Sequence, residues 1–180
     1  QLKYLQDNDF QPTSIKLAYD GLALIVNKNN NDTCISVKDV KRILSGEVTE
    51  WNQIYPGSKW GKIKIVFDNP KSSTVKFCED SILGGHGISS VNASAVKTSQ
   101  GVIDFVEKTP NAIGVIGSNW LNDKRDTTNC TFKKNIHVMS VSKMDKATEM
   151  NSWKPYQAYI FNGRYPFIRT IYALINDPIN

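Results

Sequence analysis

Cysteine and histidine are scarce in this sequence, and each scarcity removes a class of protein. The three cysteines, Cys34, Cys78 and Cys130, are odd in number and far apart, so they define neither a disulfide framework nor a metal motif. Cys78 falls on the apolar side of a predicted helix and is expected to be buried and inert. Cys34 and Cys130 lie in polar segments and would pair only if the fold brings them together. The two histidines, His86 in Gly-Gly-His-Gly and His137 in a β-prone run, read as a loop residue and a structural residue. No cofactor and no metal are expected. No arginine-rich run appears, and the lysines behind the net charge of +5 are scattered. Such a field attracts small anions, but no motif supports nucleic-acid binding. No apolar run approaches the length of a membrane span. The start, Gln1-Leu2-Lys3-Tyr4-Leu5, lacks the basic and apolar regions of a signal peptide. No internal repeat or low-complexity tract interrupts the chain.

What is present suits a globular domain. Its 180 residues, 40% of them hydrophobic, are enough for a substantial core. Residues 1–13 read as the tail of a helix and a loop. Gly21-Leu22-Ala23-Leu24-Ile25-Val26 is almost continuously apolar, as in a strand buried on both faces. Ser36 opens a helix carrying Val37, Val40 and Leu44 on one side, and Gly46 closes it. Strands are expected at 62–67, 112–117 and 137–142, with further β-prone runs at 156–160 and 170–175. Residues 84–98 and 143–155 read as loops. Another helix starts at Ser99 or Gln100 and carries Val102, Ile103 and Val106. Strands alternating with short helices predict an α/β fold, a mixed and mostly parallel sheet flanked by helices.

One stretch carries more chemistry than the others. Ile63 to Phe67 is β-rich, Asp68-Asn69-Pro70 is a turn, and Val75, Cys78 and Ile82 then recur at helical spacing. Ser72 or Ser73 is a natural N-cap. The first amides of a helix lack partners within it and lie at the positive end of its dipole. Ser72, Ser73 and Thr74 add hydroxyl donors there, which suits a tetrahedral oxyanion. The start of the helix at Ser99-Gln100-Gly101 is a second place of this kind.

Five segments in order resemble the phosphate-binding proteins of bacterial ABC transporters, the PstS-like group of type II periplasmic binding proteins. They are Asp20–Asn27, the helix from Ile35 to Gly46 followed by Trp51-Asn52-Gln53-Ile54, Ser72-Ser73-Thr74, Ala112–Gly117, and Tyr165-Pro166-Phe167-Ile168-Arg169. The resemblance covers most of residues 14–176. It implies one lobe of a two-lobed fold. Residues 1–27 would be the end of a first lobe and the outgoing crossing strand, 28–160 the second lobe, and 161–180 the returning strand. Most of the first lobe would lie outside this sequence. The chain is therefore expected to be a piece of a longer protein at the periplasm or outer face of the cell envelope, lipid-anchored when whole. Its implied partners are inorganic phosphate, a transporter permease and the missing lobe. Crossing strands left unpaired could also join a second copy as a homodimer.

The implied phosphate-binding residues are Ser72, Ser73, Thr74, Asp68, Asn69, Lys71 and Gln100. Two departures from the family pattern stand out. Ser73 replaces the middle glycine of the anion turn, and Asp68 stands where the family commonly has arginine. Lys71 could restore charge only as a flexible point charge. Asp68 could accept the proton of a phosphate, and sulfate has none to offer near neutral pH. Against that stands the plainer reading that Asp68 and Asn69 shape the turn. Two other classes of function remain open on sequence alone. The fold could be reused as a sensor or surface interaction module. A hydrolase would need Cys78 or Ser73 as nucleophile and His86 or His137 as base.

Overall fold

The computed structural model describes residues 13–122 and 132–175. The chain is organised around β1 (Thr13–Asn27), a single strand of 15 residues. At about 3.3 Å per residue it extends for roughly 50 Å. Its first half is exposed and its second half is buried. The buried half pairs antiparallel with β5 (Ala112–Gly117) and β6 (Ile136–Val138). The exposed half pairs antiparallel with β9 (Ile168–Ile175), from Thr13↔Ile175 to Gly21↔Ile168. One chain segment thus supplies both the centre of a sheet and one strand of a ribbon leaving it.

The remaining strands of this sheet are β3 (Lys64–Phe67) and β4 (Ala93–Ala95), in the order β4-β3-β5-β1-β6. The expected mixed α/β sheet flanked by helices is present. Parallel pairing within it is confined to β3 and its two neighbours, because β1 runs against all of its partners. A second small sheet joins β2 (Cys34–Ser36), β7 (Ser140–Ser142) and β8 (Ser152–Trp153).

The apolar run in β1 is explained by packing on both faces. Leu22, Leu24 and Val26 face one cluster, with Val40, Ile43 and Leu44 of α1 (Val37–Leu44) and with Trp51, Cys78, Tyr165 and Phe167. Ala23 and Ile25 face the other, with Val102, Ile103 and Val106 of α3 (Ser99–Lys108). The period of two along the strand sends alternate residues to opposite layers. Gly114 lets α3 lie close. A Cβ there would come within 2.7 Å of both Ile25 and Val102 and 2.8 Å of Val106. Asn27 ends β1 by donating from Nδ2 to the carbonyls of Val106 at 3.0 Å and Glu107 at 2.7 Å, which satisfies the end of α3.

Four expectations change. Residues 156–160 are not a strand: Gln157–Phe161 is α4, entered after Pro155, and it buries Ile160 against the backbone of β1 at Gly21. Helical spacing lets one turn bury Ile160 while Gln157, Ala158 and Phe161 face solvent. The loop at 84–98 contains β4, whose Ala-Ser-Ala sequence has no β-branched or aromatic residue to signal it. The run at 137–142 divides at buried Met139. There the chain leaves β1, with Met139 N donating to Leu24 O at 2.9 Å, and enters the small sheet as β7. The loop at 143–155 contains β8. The predicted helix tail at 1–13 and the residue Cys130 lie outside the described residues, apart from Thr13, which begins β1.

Candidate functional site

The strand–turn–helix stretch folds as its sequence implies. β3 ends at Phe67, and α2 (Ser73–Phe77) continues into a wider π-helical turn over Cys78–Ile82. Ser72 is the N-cap, and its Oγ accepts from Val75 N at 3.2 Å. Asn69 Oδ1 accepts from Lys71 N at 2.8 Å, closing the turn. Ser72 Oγ and Asn69 Oδ1 thus serve the local structure as acceptors. Lys71 is exposed on the turn.

The turn opens on a cavity of about 470 Å³ whose lining includes Asp68, Ser73, Thr74 and Ser99. Thr74 is only 4% exposed. The amides of Ser73 and Thr74 are first-turn amides and have no carbonyl partner within the helix. Asp68 Oδ2 accepts from Ser99 Oγ at 3.4 Å, and Asp68 Oδ1 accepts from Asn69 N at 2.9 Å. Of the seven residues named from sequence, Asp68, Ser73 and Thr74 line this cavity, whereas Ser72, Asn69, Lys71 and Gln100 do not. Gln100 instead donates to Asp104 and accepts from Lys133 on the surface. The cap of α3 is Thr98, whose Oγ1 accepts from Gly101 N at 3.0 Å.

The far wall is built by residues that the sequence did not single out for binding. Tyr19 and Asp20 come from β1, Gly117 and Asn119 from the end of β5 and beyond, and Arg169 from β9. Asp20 and Arg169 are register partners on the ribbon. They form an ion pair with side chains 20% and 18% exposed. Asp20 Oδ1 also accepts from Gly21 N at 2.7 Å and Ser118 Oγ at 3.2 Å. Arg169 Nη1 donates to Ser73 Oγ at 3.2 Å. Because Ser73 Oγ is an acceptor in that bond, its own proton is left to donate to something else. The cavity therefore gathers hydroxyls, two helix-start amides and one guanidinium, alongside two carboxylates. Local patterning could not join Asp20 to Arg169, since 149 positions separate them. The one signal was a single charge at the edge of each β-prone run.

Among the described residues no hydrogen bond joins Cys78 or Ser73 to His86 or His137. Cys78 is 1% exposed, and burial pushes its thiol up to about 12. His86 Nδ1 lies 3.0 Å from Leu83 O, and His137 Nδ1 lies 3.0 Å from Asn30 O. Thiolate is the reactive form, so Cys78 is expected to resist iodoacetamide in the folded protein and to react only on unfolding. Mass spectrometry after timed alkylation, with and without denaturant, measures this; prompt native labelling of Cys78 would contradict it. Among the described residues no cluster suits a metal ion, and no helix is long and apolar enough to cross a membrane.

A family model for the PBP superfamily domain matches residues 4–179, and the chain belongs to that superfamily. Within it, the chain is similar to the phosphate-binding protein PstS of Staphylococcus haemolyticus, at 27% identity over 176 residues, covering 96% of this chain and 50% of that protein. It thus spans about half the length of the curated relatives it matches. Its fold is similar to that of a Clostridium perfringens protein solved with bound phosphate, with a TM-score of 0.70 at 20% identity, covering 97% of this chain and 61% of that one. It is also similar to an ABC-type phosphate transport receptor from Vibrio cholerae, with a TM-score of 0.69 at 21% identity, covering 93% and 61%.

Proposed function

We propose that this chain is one lobe, with its crossing strands, of a solute-binding protein that captures inorganic phosphate between two lobes and delivers it to an ABC transporter at the outer face of the cell envelope. In this reading residues 1–27 comprise the end of the first lobe and the outgoing crossing strand, 28–160 the second lobe, and 161–180 the segment of the returning crossing strand. The first lobe and the permease are the partners, and no chemistry is performed on the ligand. The observation that carries the reading is the convergence of Ser73, Thr74, Ser99 and Arg169 on one cavity at the start of α2. An oxyanion placed there meets neutral and charged donors together, the combination that replaces its hydration shell.

Asp68 gives the site its selectivity in this reading. A protonated phosphate oxygen donates to the carboxylate, whereas sulfate sets acceptor against acceptor. Calorimetric titration of phosphate and sulfate into the protein carrying both lobes tests this. Saturable phosphate binding with sulfate much weaker is expected. Asp68→Asn is expected to reduce the preference for phosphate by roughly 10- to 100-fold, the cost of one mismatched buried polar contact. A folded two-lobed protein that binds no phosphate would overturn the reading, and an unchanged preference in Asp68→Asn would remove Asp68 from it.

A further inference from the structure

We infer that Arg169 on β9 is the cation that contacts the bound anion, held in position by Asp20 on β1. This rests on the phosphate reading above and adds where the site's positive charge comes from. The anion turn carries no arginine. Its own charged residue at the cavity is Asp68, and Lys71 is exposed and does not line the cavity. Arg169 does line it, and its guanidinium is held on two sides. Nη2 pairs with Asp20 Oδ2, and Nη1 donates to Ser73 Oγ at 3.2 Å.

An ion pair serving only to join β1 to β9 needs no third partner. Here the guanidinium reaches across to the first residue of α2, beside buried Thr74. Asp20 is itself oriented by Gly21 N and Ser118 Oγ, so the guanidinium has a rigid support. Space is kept open behind it: a Cβ on Gly117 would come within 3.4 Å of Arg169 Nη2 and 2.6 Å of Asn119 Oδ1. The planar fork of an arginine retains N–H donors beyond the two in use, in a geometry suited to an oxyanion. An anion seated between Ser73, Thr74 and Arg169 consequently bonds the lobe and a crossing strand at once. The returning strand becomes part of the binding site.

The test is phosphate titration of the protein carrying both lobes as wild type, Arg169→Gln, Arg169→Lys and Asp20→Asn, at two salt concentrations, with Tm measured for each. Arg169→Gln is expected to weaken phosphate binding by about 30- to 100-fold, as loss of a charge-assisted contact does. It also flattens the salt dependence of binding. Arg169→Lys keeps the salt dependence but, lacking the fork, recovers only part of the affinity, remaining about 5- to 10-fold below wild type. Asp20→Asn breaks the same ion pair and lowers Tm about as much as Arg169→Gln, yet costs markedly less affinity. Phosphate binding by Arg169→Gln within twofold of wild type, or affinity losses that simply follow Tm across the variants, would overturn the inference while leaving the phosphate reading intact. Wild type without phosphate binding overturns both. Should Arg169→Gln fail to fold, Arg169→Lys decides: affinity equal to wild type at unchanged Tm overturns the inference.

Discussion

Trp51→Ala is expected to destabilise the fold by about 3–5 kcal/mol, the range for removing a fully buried large aromatic. Trp51 is 0% exposed and lies in the cluster beneath β1 with Ile43, Leu44 and Ile63. Its indole Nε1 donates to Asn111 O at 3.0 Å, and its ring meets that of Tyr55 at 5.7 Å. The backbone of the same residue accepts from Tyr55 N at 2.9 Å and donates to Gly61 O at 2.9 Å, which folds the segment before β3. Truncation leaves a cavity and removes one of the two donors to Asn111 O, the other being Lys64 N at 3.1 Å, so the transfer and cavity costs dominate. Trp120, 42% exposed, is the control. Its replacement by alanine is expected to cost less than about 1 kcal/mol. Urea denaturation followed by tryptophan fluorescence and circular dichroism measures both. A loss below about 1 kcal/mol for Trp51→Ala would contradict the packing described here.

The second large effect concerns the ligand. The chain alone is expected to bind phosphate at least ~100-fold more weakly than a protein carrying both lobes, the equivalent of two lost hydrogen bonds to a charged group. The donors assembled here, from Ser73 and Thr74 on one side and Arg169 on the other, line a cavity that is open to solvent. Water on the open side competes for the anion and screens the guanidinium. In the proposed two-lobed protein, closure of the second lobe would supply further donors and remove that water, strengthening every contact already present. Titration calorimetry of the two proteins under the same buffer gives the ratio. Micromolar or tighter binding by the chain alone would contradict the expectation.

Much of the fold was legible because its signals are local. The apolar run at Leu22–Val26 required burial on two faces, and alternate residues do enter two layers. Val40 and Leu44 repeat at helical spacing and are buried on α1. The turn between β3 and α2 was readable from Asp-Asn-Pro and the run of hydroxyls. Local rules failed where tertiary packing decided. Tyr156 to Ile160 has β-prone residues, yet one turn of helix is what brings Ile160 onto Gly21. Ala93–Ala95 has no strand preference of its own and pairs because β3 offers an edge.

The site divides along the same line. A sequence names hydroxyls near a helix start but not their directions. Ser72 turned inward as the cap, Asn69 closed the turn, and Gln100 joined Asp104 on the surface. Asp20 and Arg169 meet only because β1 and β9 pair in the register that sets them opposite each other. The single charge at the edge of each β-prone run marks both residues but does not encode that meeting.

Phosphate titration followed by amide and guanidinium NMR on this chain tests the central claim most directly, since weak binding still moves resonances. Saturable shifts concentrated at the amides of Ser73 and Thr74, at Ser99 and at the Arg169 guanidinium are predicted, all following one binding curve. Shifts spread over exposed lysines such as Lys71 and Lys76, with those four positions unmoved, would contradict the assignment of this cavity as the anion site.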